Sequence, residues 1–185
     1  MPELEKMRVA VLATDGFEDS ELTEPVQALR QAGAHVDVIA PQAGKIQGFH
    51  HHDKSITVSV DRTLNEADPA SYDALLLPGG ALNADALRVA PGVPAFIRAM
   101  DTAGKPIAAI CHAPWELISA SIIRGRTLTS FPTIEDDIRN AGGHWVDREV
   151  MIDRNLITSR RPEDIPAFNL EMIRVFACLA QPAPR

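Results

Sequence analysis

The chain has 185 residues, 45% of them hydrophobic, enough for one sizeable core and too few for two comfortable domains, so we expect a single domain over 1–185. Its formal net charge of −7, with Lys and Arg scattered, offers no stripe to neutralise a phosphate backbone, which argues against nucleic acid as a partner. Two acids precede the first apolar run, no run approaches membrane-spanning length, and only two cysteines occur. These features predict a soluble, cytoplasmic protein that does not engage a membrane.

Arg8 to Thr14 is a short apolar β-type run, and a helical pattern from about Glu21 to Ala32 ends at Gly33. Val36 to Ala40 reads as a second strand and Thr57 to Val60 as a small edge strand. Ala74 to Leu77 is apolar throughout and stops at Pro78-Gly79-Gly80, as a buried central strand ending in a glycine turn would. A helix over about Val93 to Ala103 leads into a strand at Pro106 to Ile110, then Cys111 and a helical stretch from Ala113 to about Ala120. Ile134 to Ala141 reads as a helix, Val150 to Ile152 and Leu156 to Thr158 as strands, and Asp164 to Leu179 as a closing helix before a frayed tail at Gln181 to Arg185. Apolar strands alternating with amphipathic helices specify an α/β fold. We expect a doubly wound, mostly parallel sheet flanked by helices in a flavodoxin-like three-layer sandwich.

Ligands of such sheets sit beyond the carboxyl ends of the strands. Three segments meet that description: Asp15 to Glu18, Pro78 to Gly80, and Cys111-His112. A cysteine between an apolar strand and a helix start has its sulfur near unpaired N–H groups and the positive helix end, both of which favour the thiolate. The His112 amide and the Gly79-Gly80 backbone could then cradle an oxyanion. On spacing alone, Cys111 reads equally as a small buried hydrophobe ending a strand.

The motifs Gly16-Phe17-Glu18-Asp19-Ser20-Glu21, Leu77-Pro78-Gly79-Gly80, Ala109-Ile110-Cys111-His112-Ala113-Pro114, Thr129-Ser130-Phe131-Pro132 and Ala141 to Asp147, in this order and spacing, resemble the PfpI branch of the ThiJ/PfpI family. That family lies within the class I glutamine-amidotransferase-like superfamily, and the likeness runs from Arg8 to about Ala177. The resemblance implies that Cys111 is the nucleophile, that Glu18 is the acid meeting the sulfur, and that His112 is the general base or acid. It further implies that a carboxylate from a neighbouring subunit orients His112, for which Asp85 is the candidate, and that the protein forms homodimers or higher homo-oligomers. Where the family has Gly after the Cys-His pair, this chain has Ala113, which narrows the elbow.

Other residues carry weaker signals. His50-His51-His52-Asp53 invites a metal reading, but consecutive histidines point in alternate directions, and a polar loop at the cleft rim or a subunit contact fits better; no metal and no cofactor are expected. Cys178 falls at helical spacing with Ile173, Val175, Phe176 and Leu179 and is expected to be inert packing. Trp115 suits a pocket wall or the core, and Arg160 and Arg161 are read as solvated or ion-paired. The His-Pro-Glu of amidotransferases is replaced by Arg161-Pro162-Glu163, which disfavours glutamine hydrolysis.

Two functions follow as expectations. One is a stress-response enzyme in which Cys111 attacks carbonyls, acting on α-oxoaldehydes such as methylglyoxal, on glycated proteins, or on peptides. The other is a non-catalytic redox-responsive protein acting through oxidation of Cys111.

Overall fold

Strand β1 (Arg8–Leu12) turns every second side chain to each face of a central sheet. Val9 and Val11 join one apolar layer, Ala10 and Leu12 the other, and all four are buried. The same division repeats along β3 (His35–Ala40), β7 (Ala74–Leu77), β8 (Ile107–Ile110) and β12 (Leu156–Ser159), so both faces of the sheet need cover. Helices supply it. On one face lie α1 (Asp19–Gln31) and α6 (Ile165–Ala180); on the other lie α3 (Val93–Thr102), α4 (Pro114–Ser119) and α5 (Glu135–Asn140).

The seven strands run in the order β11-β12-β8-β7-β1-β3-β6, where β6 is Arg62–Thr63 and β11 is Val150–Asp153. All neighbours pair in parallel except β11 with β12. The chain leaves β1 toward β3 on one side and later returns through β7 toward β8 on the other. The loops after β1 and β7 therefore part at a topological switch point, where open α/β sheets place ligands.

Two small sheets stand beside this frame. Strand β2 (Phe17–Glu18) pairs with β4 (Lys45–His50), which forms an antiparallel hairpin with β5 (Asp53–Ser59). A parallel pair joins β9 (Thr127–Leu128) to β10 (His144–Trp145).

This computed structural model describes residues 3–180, so the tail expected to fray, Gln181 to Arg185, lies outside the described residues. The α/β architecture and its mostly parallel sheet match the expectation from sequence. The differences are local: the edge strand expected at Thr57 to Val60 is the second half of the hairpin strand β5, and a helix not anticipated, α2 (Ala81–Leu87), follows the glycine turn. Cys178, expected to pack inertly, is exposed, because the helix turns it outward between Ala177 and Leu179. Arg160 is ion-paired, to Asp164 at 2.8 Å and Asp147 at 2.8 Å. Among the described residues no helix is long and apolar enough to cross a membrane.

Candidate active site

Strand β8 delivers Cys111 at its carboxyl end, where the backbone must reverse at once: Cys111 has φ 63°, in the left-handed region that side chains with a Cβ rarely adopt. Two hydrogen bonds hold the turn, from the Cys111 amide to the Ser159 carbonyl on β12 (3.1 Å) and from the Phe131 amide to the Cys111 carbonyl (2.9 Å). A strained residue fixed by its neighbours at a strand end is the geometry of a nucleophile elbow. The side chain is 7% exposed, at the boundary between core and cleft.

The glycine turn after β7 lies against this elbow. A Cβ at Gly79 would stand 2.6 Å from the Cys111 Cβ and 2.9 Å from the Ile110 carbonyl, and would overlap Glu21 Oε2. At Gly80, with φ 94°, a Cβ would fall on the Gly16 carbonyl. Glycine is thus required at both positions, because three chain segments meet there with no room for a side chain. The turn is tied down by Asn83, fully buried in α2, whose Oδ1 accepts from the Thr14 amide (2.8 Å) and whose Nδ2 donates to the Pro78 and Gly79 carbonyls (3.1 and 3.2 Å). Backbone amides of Gly80 and His112 both reach the sulfur. They belong to the glycine turn and to the elbow, and α4 begins just beyond, at Pro114 with Ala113 as its N-cap.

The carboxyl beside the sulfur is that of Glu21. This corrects the assignment of that contact to Glu18. Glu21 lies in the first turn of α1, on the buried face with Leu22, Pro25, Val26 and Leu29, and is itself 0% exposed. Burial, and then the charge of Glu18, push its carboxyl up to about 8, while the Cys111 thiol and the Gly79 backbone pull it down. It therefore holds its proton at neutral pH. Its oxygens lie within hydrogen-bonding reach of Cys111 and Gly79, yet neither makes a bond of ordinary geometry, so the O–H is free to turn to the sulfur.

Cys111 and Glu21 form a coupled pair. Burial first, and the charge of an ionised Glu21 second, push the thiol well above its ordinary value, while the Gly80 and His112 amides pull it down. Two negative charges cannot be held here together. With the proton kept on Glu21 the repulsion is gone, and its O–H joins the two amides as a third donor to the sulfur.

His112 extends from the elbow with Nδ1 3.1 Å from Cys111 Sγ and Nε2 3.4 Å from Thr133 Oγ1. Its ring stacks on Phe131 (centroids 4.8 Å apart) and meets Trp115 edge-on (5.3 Å). Burial lowers its proton affinity below the usual histidine range, so the ring is neutral near pH 7. Trp115 is thereby a wall of the site, anchored by its Nε1, which donates to Asp137 (2.8 Å).

Glu18 stands one step back, 9% exposed, its carboxylate accepting from the His51 amide (3.1 and 3.3 Å). Asp85 lies on the exposed side of α2, and among the described residues it makes no hydrogen bond or ion pair with His112 of its own chain; the ring's second nitrogen faces Thr133. The histidines at 50 and 51 stack on each other (4.5 Å) at the hairpin tip, with His50 Nδ1 3.7 Å from Glu18.

Glu21, Asn83 and Glu116 were not singled out from sequence. A carboxyl at the apolar spacing of α1 was the available signal for Glu21. Glu116, fully buried in α4, is held protonated by burial, and its carboxyl has no partner among the described residues.

The chain is similar to known proteins over most of its length. Over 169 residues the chain is 47% identical to Protein/nucleic acid deglycase 2 of Escherichia coli K12, covering 91% of this chain and 96% of that protein. It is 43% identical to Deglycase TK1284 of Thermococcus kodakarensis, covering 91% and 99%. Among solved structures, DJ-1beta of Drosophila melanogaster superposes with a TM-score of 0.85 at 29% identity, covering 93% of this chain and 91% of that one. Residues 7–175 match the DJ-1/PfpI family, and with these likenesses the chain belongs to it.

Proposed function

We propose that this protein is a cysteine-dependent deglycase: Cys111 attacks the carbonyl-derived carbon of early glycation adducts, or of a free α-oxoaldehyde such as methylglyoxal. The observation that carries the reading is the convergence on Cys111 Sγ of His112 Nδ1 at 3.1 Å and the buried, proton-bearing Glu21. Two relatives named deglycases support the substrate class.

In this reading His112, with its proton on Nε2 toward Thr133, accepts the thiol proton at Nδ1. On a free α-oxoaldehyde the sulfur bonds to the carbonyl carbon, the π pair moves onto oxygen, and the amides of His112 and Gly80 receive that oxyanion as the sulfur's charge is consumed; on a carbinolamine adduct the sulfur bonds to the same carbon as its C–N bond breaks, and the amine leaves with the proton that His112 took from the thiol. Glu21 keeps its proton throughout and serves as donor. A sulfur only 7% exposed between two tight loops reaches a small carbonyl more readily than an extended peptide, which sets deglycation ahead of peptide hydrolysis. Asp85, placed outward on α2, would meet His112 only across an interface, so we assign it to a second copy of the chain in a homo-oligomer. A stress-defence role in the cytoplasm follows from this chemistry.

The test is turnover of methylglyoxal, a methylglyoxal-treated peptide and the unmodified peptide by wild type, Cys111→Ala and His112→Ala. The proposal expects turnover of the first two substrates only, none with Cys111→Ala, and a drop of about 100-fold or more with His112→Ala. Undiminished turnover by Cys111→Ala would end it.

A further inference from the structure

The histidines at the β4–β5 tip take no part in the chemistry above, yet the hairpin is seated on the site. Its strand β4 pairs with β2, and a Cβ at Gly48 would stand 2.7 Å from the Phe17 ring, so hairpin and loop pack without slack. At the tip the His51 amide, on a residue with φ 56°, donates to both oxygens of Glu18, while His50 Nδ1 lies 3.7 Å from Oε1. Glu18 is nearly buried and Glu21 wholly so, whereas the His50 side chain is 70% exposed.

We propose that His50 is a positioning residue for the nucleophile: charge carried at the hairpin tip reaches Cys111 through Glu18 and Glu21. The proposal rests on the reading of Cys111 and Glu21 given above, but its test requires no turnover.

Charged and titratable groups face the two acids from several elements. Facing Glu18 are His50 and His51 from the tip; Asp53 stands opposite His50 in the hairpin register, and Asp19 follows Glu18 in the chain. Facing Glu21 are Glu18, the Cys111 thiol, the Gly79 backbone and, from the turn before α6, Glu163. The ionisable groups named for Glu21 are acidic; of the groups able to carry positive charge, His112 stands at the sulfur, its Nδ1 3.1 Å from Cys111 Sγ, and the tip histidines stand at Glu18. Glu18 is the larger of the two carboxylate influences on Glu21, and its field makes Glu21 hold its proton more tightly. A cation at position 50 offsets that field and loosens the proton; an anion there adds to it.

The experiment follows the infrared carbonyl band of protonated Glu21, identified by its loss in Glu21→Gln, against pH. Wild type is expected to lose the band with a midpoint near 8. Glu18→Gln should bring the midpoint down by about one pH unit. His50→Lys, His50→Gln and His50→Glu, all at an exposed position that tolerates substitution, should give midpoints rising in that order across about half a unit or more. Coincident midpoints for the three His50 variants would overturn the proposal while leaving Cys111 as nucleophile, and so would an unmoved midpoint in Glu18→Gln. Loss of turnover in Cys111→Ala would be unaffected by either result.

Discussion

Replacing Glu21 by Gln should stabilise the protein, and by an amount that depends on pH. The carboxyl ordinarily titrates near 4.5 and is pushed to about 8 in the fold, chiefly by burial. A group that binds its proton more tightly when folded favours folding fully at low pH, and that advantage is lost as pH rises from 4.5 to about 8. At roughly 1.4 kcal/mol per pH unit, the penalty is about 3 kcal/mol at pH 7 and tends to a ceiling on the order of 5 kcal/mol above pH 8. Gln has nearly the shape of the protonated acid and carries no titration. Urea denaturation of Glu21→Gln and wild type at pH 4.5, 6, 7 and 8 should therefore show stabilities that coincide at pH 4.5 and diverge steadily in favour of the variant. A difference that is the same at every pH would mean that Glu21 is not titrating as a buried acid, and the account of the sulfur's surroundings would fall with it.

Other outcomes follow from the same geometry. Gly79→Ala places a methyl against Glu21 Oε2, the Cys111 Cβ and the Ile110 carbonyl; Glu21 can swing away but the other two cannot, so the glycine turn itself must shift off the elbow, at about 3 kcal/mol or more in a thermal melt and with loss of turnover. Asn83→Ala takes the acceptor from the Thr14 amide and the buried donor from the Pro78 carbonyl, leaving the Gly79 carbonyl to the Glu18 amide alone, and should cost about 2–3 kcal/mol of stability by denaturant titration. The pH profile of kcat/KM for methylglyoxal should fall on the acid side as His112 protonates, below the usual histidine range because burial lowers it, and on the alkaline side near 8 as Glu21 loses its proton. Tyr72→Phe removes the hydroxyl that donates to Asp37 at 2.9 Å; burial alone would raise that carboxyl, and Tyr72 with Arg8 holds it below its ordinary value. Asp37 therefore stabilises the fold at neutral pH and loses that contribution under acid, and the variant should be less stable than wild type at pH 7 by about 1 kcal/mol in the same titration.

Much of the fold was legible because its strands are apolar on both faces. Ala74 to Leu77 and Ile107 to Ile110 have no alternation, which is what a sheet covered twice requires. The sheet order and the two-residue pairings of β2 and β6 were not, since such short pairings carry no periodicity. Helix α2 was hidden by its length and by an exposed side bearing Leu82, Asp85 and Ala86. Within the site, Cys111, His112 and the two glycines announced themselves through the strand-turn-helix pattern. The two acids of the first loop were harder to separate: Glu18 and Glu21 lie in one motif, and which of them meets the sulfur is decided by the direction of α1. The helix begins at Asp19, and its buried face passes through Glu21, Pro25 and Leu29, so the later acid is carried under Gly79 and the earlier one is left at the hairpin. The backbone amides of the glycine turn and the elbow that meet the sulfur lie in the segments singled out from sequence, and α4 starts within a residue of the place expected.

The sharpest check is the rate at which iodoacetamide alkylates Cys111 at pH 7 in wild type, Glu21→Gln and Glu21→Leu. With its proton kept, Glu21 donates to the thiolate as it forms; Gln keeps a donor beside the sulfur and should react within about threefold of wild type, whereas Leu removes the donor and should react about tenfold or more slowly. If instead both variants react faster than wild type, Glu21 repels the thiolate rather than supporting it, and the site does not work as described.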